Sequence, residues 1–96
     1  MKIRDLKIGK NVDFLRARVV DKVEPRSVVT RFGKRLTVTR VMLEDDTGSI
    51  RLTLWGRNGE RVSVGDVVEI RDGFVKEFRG EKQLTLGRSG NMRVVE

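Results

Sequence analysis

The sequence predicts an all-β domain, a small barrel of five strands with little or no helix, and three observations carry that prediction. Apolar and polar residues alternate at a period of two through most of the chain. Glycines punctuate the alternating runs, as they do where a sheet coils towards closure. The 96 residues are enough for one modest core and one domain, spanning 1–96.

Element by element, residues 2 to 8 place Ile3, Leu6 and Ile8 at spacings that suit a short turn plugging one end of a core, and Gly9 ends it. From Val12 to Val23 the residues Leu15, Ala17, Val19 and Val23 form an apolar face opposite Phe14, Arg16, Arg18 and Lys22, a long first strand interrupted by Pro25. Phe14 is assigned to packing near the barrel end. Ser27 to Thr30 and Arg35 to Glu44 flank Arg31-Phe32-Gly33-Lys34 and read as a hairpin with a basic, aromatic tip. The apolar phase slips from Leu36 and Val38 to Val41 and Leu43, which predicts a bulge near Thr39 or Arg40. Asp45-Asp46-Thr47-Gly48 is a turn, and Ser49 to Trp55 is the third strand with Ile50, Leu52 and Leu54 inside.

Gly56 to Gly65 reads as a loop or a single turn. Asp66 to Phe78 is a long fourth strand with Val68 and Ile70 inside and a kink at Gly73. Without a phase slip there, Lys76 would enter the core at a desolvation cost of several kcal/mol. With a bulge of one residue, Val75 goes inside, and Phe74, Lys76 and Phe78 go outside. Arg79-Gly80-Glu81 then turns the chain into Lys82 to Leu86, where Leu84 and Leu86 face the core and Gln83 and Thr85 do not. Five coiled strands with glycine kinks and basic hairpin tips fit an oligonucleotide-binding (OB) barrel of Greek-key type.

The charge points to a polyanion. Lys and Arg number 21 against 14 Asp and Glu, a net +7, and the stretch from Arg26 to Arg40 carries five cations and no acid. Nucleic acid is the first expected partner, with an ordinary solvated surface as the alternative. The absence of cysteine and histidine removes disulfides, thiolate nucleophiles, imidazole bases and ordinary zinc sites. No enzyme activity and no cofactor are expected. No segment approaches the ~20 apolar residues of a membrane span, so a soluble, cytoplasmic, nucleoid-associated protein without membrane contact is expected. High charge with few Asn and Gln is compatible with a heat-adapted source.

Trp55 is the most informative residue. The alternation that buries Leu52 and Leu54 puts this lone tryptophan on the face of Arg51 and Thr53. A large ring exposed beside cations suits base stacking; capping of the barrel end and a subunit contact are the alternatives.

Three segments carry a resemblance: Leu43-Glu44-Asp45-Asp46-Thr47-Gly48 running through the alternating strand to Trp55-Gly56, then Val64-Gly65-Asp66-Val67-Val68, then Phe78-Arg79-Gly80 with Gln83-Leu84-Thr85-Leu86-Gly87-Arg88. Together with the opening Ile3-Arg4-Asp5-Leu6-Lys7-Ile8-Gly9, they make the chain similar to archaeal single-stranded DNA-binding proteins and the OB-folds of archaeal replication protein A. The resemblance implies a five-stranded fold that binds single-stranded nucleic acid across strands 2 and 3 and the loops joining strands 1 to 2 and 4 to 5. The expected function is that of a thermostable module that binds single-stranded DNA with little sequence specificity in replication and repair, with replication or repair proteins as partners. The resemblance also implies stacking roles for Trp55, Phe74 and Phe78, although Phe74 stands where a tryptophan is often found. The sequence stops at Glu96 without the flexible acidic tail that some members carry, which leaves the expected recruitment of partners open.

Beside the rings, Arg51, Lys76, Arg79 and Lys82, with Arg31, Lys34 and Arg35 on the first hairpin, are candidates for phosphate contacts. Phe32 at the hairpin tip either stacks on a base or folds back as a lid. Single-stranded RNA is an alternative ligand, since both backbones are anionic and every base has a face to stack. A structural OB subunit of a larger complex is the other alternative. Asp46-Thr47-Gly48 also matches the catalytic tripeptide of aspartic proteases, with Leu86-Gly87-Arg88 as a partial second element. The alternating strand immediately after Gly48 argues for a hairpin turn instead.

Overall fold

A computed structural model describes residues 1–95, with residues 87–89 described through their backbone alone. Six strands follow one another: β1 (Asn11–Lys22), β2 (Arg26–Val29), β3 (Arg35–Asp45), β4 (Gly48–Trp55), β5 (Val67–Phe78) and β6 (Glu81–Val94). They are ordered β1-β5-β6-β4-β3-β2, and a further β1–β3 pairing closes five of them into a barrel. β4 and β6 run parallel; the other pairs are antiparallel. The fold is the five-stranded OB barrel that the alternation predicts. β2 is the sixth element, continuing the path of β1 along β3 after the break at Glu24-Pro25, so that β2 and the start of β3 form an arm beyond the barrel.

The interior is aliphatic. Leu15, Leu43, Leu52, Leu54, Ile70 and Leu84 are fully buried, each contributing about 1.5–3 kcal/mol by leaving water. Ile3 and Leu6, around a short 3-10 turn at Ile3–Asp5, close one end. Ile8, expected beside them, is exposed. A second 3-10 turn at Gly56–Glu60 closes the other end against β3. There Gly59 is buried so tightly on Thr39 that a Cβ would collide with the threonine side chain, which is why this position tolerates only glycine.

Bulges bend the sheet, and their positions decide what faces out. The β5–β6 pairing is interrupted between Arg71 and Gly73, where Asp72, in the left-handed conformation at φ +55°, stands against residues 87–90 of β6, and the phase of β5 changes. Ile70 before it and Val75 after it are both buried, as the sequence requires. Gly73 occupies the inward position between them; a Cβ there would press on Leu84 and Ile70 at 3.2 and 3.3 Å.

The slip expected at Thr39 or Arg40 is not found. β3 and β4 pair without interruption from Val38↔Trp55 to Asp45↔Gly48. Thr39, Val41 and Leu43 all point inward, whereas Val38 lies on the outer face between Arg26 and Trp55, and Leu36, paired with Val28, lies on the arm itself. The irregularity lies on the partner strand, between Val19 and Asp21 of β1. It reverses the phase there, so Val23 is exposed instead of continuing the apolar face. β6 also runs beyond Leu86: residues 91–94 pair with 68–71 of β5, and Met92 joins the core.

Candidate nucleic-acid interface

The registers place the outward side chains in rows. Arg26, Val38 and Trp55 stand side by side across β2, β3 and β4. Arg40, Thr53, Thr85 and Phe74 form the next row across β3, β4, β6 and β5, and Met42, Arg51, Gln83 and Lys76 the one after. Where the arm stands over this face it leaves a groove of about 450 Å³. Trp55 and Phe78 both line it, with Arg40, Thr53, Lys76 and Gln83 from the barrel; Val23, Glu24, Arg26 and Val28 line it from the arm.

Both rings offer surface to solvent, Trp55 at 45% and Phe78 at 48%. Phe74, at 36%, shares their side of β5 but stands outside the groove lining. Three cations, Arg26, Arg40 and Lys76, oppose the single acid Glu24 among the lining residues. A flat apolar ring within reach of several positive charges, in a channel open to solvent, can hold a base by its face and the backbone by its phosphates.

Arg79 and Gly80 form the β5–β6 turn with both residues left-handed, at φ +54° and +81°. That backbone matches the twist of a two-residue hairpin, yet a non-glycine residue adopts it at a cost of about 1 kcal/mol. The turn lays the Arg79 guanidinium over Phe78, 5.2 Å from the ring centroid.

Other anticipated site residues lie elsewhere. Arg31, Phe32, Lys34 and Arg35 sit on the arm's tip, all exposed and Phe32 at 88%; none lines the groove. Hydrogen bonds between Thr30 and Gly33 and between Thr30 and Lys34 hold that tip. Arg51 is half-buried between Met42 and Gln83. Lys82 donates its ammonium proton to the Leu6 carbonyl at 2.8 Å, pinning the barrel's end cap. Phe14, half-buried, packs under Arg71 on the β1–β5 surface, 4.9 Å from guanidinium carbon to ring centroid.

The Asp45-Asp46-Thr47-Gly48 turn is a clasp. The Asp45 carboxylate accepts the Ile3 N–H at 2.8 Å, the Thr47 N–H at 2.7 Å and the Thr47 hydroxyl at 2.6 Å, and the Thr47 hydroxyl oxygen accepts the Arg4 N–H at 3.1 Å. Burial disfavours the charge on Asp45, but the Thr47 hydroxyl and the N–H groups of Ile3, Thr47 and Gly48 outweigh it and hold the carboxyl below its ordinary value. Asp46, the residue of the protease comparison, is exposed and pairs with the Lys2 ammonium at 2.7 Å, which lowers the carboxyl and raises the amine. Both carboxylates therefore tie the N-terminal turn to the barrel. Of the partial second element, the side chain of Arg88 lies outside the described residues, as does Glu96.

The family profile described as the replication protein A OB domain matches residues 1–95. The chain belongs to that family. This OB domain is 33% identical, over 86 residues and 90% of its length, to the single-stranded DNA binding protein Ssb of Saccharolobus solfataricus. It is 37% identical over 97 residues to replication factor A of Methanothermobacter thermautotrophicus, covering 95% of its own length. It spans 57% of the first relative and 12% of the second. Among solved structures, the second OB-fold domain of replication protein A from Methanococcus maripaludis superposes with a TM-score of 0.83 at 28% identity, covering 100% of this chain and 94% of that one.

Sequence reasoning did not single out Arg26, Arg40, Thr53 or Gln83 of this OB domain. The signal for the two arginines was the acid-free stretch from Arg26 to Arg40. Their place beside Trp55 depends on the β3 register, which the misplaced bulge obscured. Its strand phase puts Gln83 outside the core, and nothing in the sequence shows that a groove forms over it.

Proposed function

We propose that this OB domain binds single-stranded DNA in the groove between arm and barrel, as a non-catalytic module serving replication and repair. The observation that carries the reading is the pair of half-exposed rings, Trp55 and Phe78, in one channel with Arg26, Arg40 and Lys76. Bases stack on the rings and phosphates pair with the cations, a mode tolerant of sequence because every base has a π-face. Phe74 extends the platform along β5. Arg31, Lys34 and Arg35, with Phe32, catch the strand as it leaves along the arm, and Arg51 and Arg79 add charge beside the rings. Lys82, tied to Leu6, contributes through the stability of the end cap. The names of the relatives, a single-stranded DNA binding protein and a replication factor, support the same reading. Partner proteins of the replication and repair machinery belong to the same proposal.

Titration with single-stranded and duplex oligonucleotides over a range of salt tests it. Single strands bind in preference to duplex, with log K falling against log salt at a slope of roughly −2 to −3, corresponding to three or four neutralised phosphates. Equal affinity for duplex, or a slope near zero, refutes the groove as an electrostatic track.

A further inference from the structure

Two polar side chains on the groove floor have no hydrogen-bonding partner among the described residues. Gln83 is 6% exposed and Thr53 8%, and what is accessible of each opens onto the groove that both line. Neither side chain takes part in a hydrogen bond. They differ from Thr39, whose buried hydroxyl is also unpartnered but is sealed against the interior, beyond the reach of any ligand. Buried amides and hydroxyls are normally satisfied, because leaving one unpaired forfeits its hydration without return. The polar atoms of Gln83 and Thr53 still reach the groove, where water can satisfy them, so they suit a ligand that replaces that water with hydrogen bonds of its own.

The chemistry of that ligand follows from the surroundings. The Gln83 amide offers one donor and one acceptor side by side, the complement of an edge carrying a carbonyl next to an N–H. Gln83 lies between Arg51 and Lys76 in its row, and Arg40 is beside Thr53 in the neighbouring row. Cations on every side favour an incoming carbonyl and oppose an incoming amino group. We infer that Gln83 and Thr53 read the edge of a keto-bearing base such as thymine, while the rings above them hold its face. The inference rests on the groove being the single-strand site, and it adds a local base preference to otherwise sequence-tolerant stacking.

The test compares a short thymine oligonucleotide with the same oligonucleotide carrying difluorotoluene, an apolar thymine isostere that stacks but forms no ordinary hydrogen bonds. Binding is read by anisotropy for wild type, Gln83→Met and Thr53→Val. Wild type prefers thymine by about five- to tenfold, the scale of one hydrogen bond to a group otherwise left unpaired. Gln83→Met still binds both but brings the ratio close to one, and Thr53→Val lowers it. If Gln83→Met does not fold, Thr53→Val decides: a reduced ratio upholds the inference and an unchanged ratio overturns it. Equal binding of the two oligonucleotides by wild type, or a ratio that survives Gln83→Met, overturns the inference and leaves stacking in place. Failure to bind either oligonucleotide removes the groove as a single-strand site and the inference with it.

Discussion

Trp55 stands directly across from Val38 in the β3–β4 ladder, so the exposed ring and a nearly buried valine share one outer face of the barrel. The arm makes that possible. By continuing along β3 past the barrel, β2 brings Arg26 to the other side of Val38 and turns a flat sheet face into a walled groove. Aromatic surface, positive charge and unpartnered polar floor therefore meet at one place.

Phe78 lines the groove and Phe74 stands outside it, which separates their expected contributions. Phe78→Ala weakens single-strand binding by about 2–3 kcal/mol and Phe74→Ala by about 1 kcal/mol, within the range for losing a stacked base. Because both rings are substantially exposed, neither change costs the ~3–5 kcal/mol of stability that truncating a buried phenylalanine would. Binding isotherms and denaturant melts of the two variants check this; a large loss of stability in either places that ring in the core.

Arg79 occupies a left-handed position better suited to asparagine. Arg79→Asn raises stability by about 0.5–1 kcal/mol through relief of that conformation, less the small cation–π contact with Phe78. The same change weakens binding several-fold and makes the salt slope shallower by about 0.7, one phosphate contact. Thermal melts and salt titrations of one variant measure both effects, and unaltered affinity removes Arg79 from the interface.

The clasp around Asp45 gives the fold an acid-sensitive element. Its carboxyl is held below the ordinary value of 3.8 in the folded chain, so its contribution is fully present above the unfolded pKa and is lost as pH falls through the lower, folded one. Asp45→Asn costs about 1–2 kcal/mol at neutral pH. The difference in melting temperature between wild type and variant closes as pH drops below about 4, the unfolded carboxyl range. A difference independent of pH contradicts the charged clasp.

How much of this was legible beforehand depended on whether one strand's alternation carried its own answer. Trp55 could be placed because Ile50, Leu52 and Leu54 leave it only one side. The slip beside Gly73 could be placed because an unslipped strand would have buried Lys76. The expected slip in β3 is absent because Leu36 and Val38 are apolar outside the barrel core, Leu36 on the arm opposite Val28 and Val38 between Arg26 and Trp55; alternation reports burial without saying what does the burying. Gln83 shows the same limit from the other side, since a polar residue on an outer face reads as solvated until a groove is found above it. The last stretch of β6 went unseen because Met92 alone marks its inward side.

The most direct measurement is the emission of Trp55, the chain's single tryptophan, as a thymine oligonucleotide is added. Stacking in the groove quenches it saturably, and Trp55→Ala binds more weakly by about 1–3 kcal/mol while melting close to wild type, because the ring is 45% exposed. Binding that leaves the emission unchanged, or a Trp55→Ala variant that loses its fold yet keeps its affinity when folded, contradicts the groove as the site of single-strand recognition.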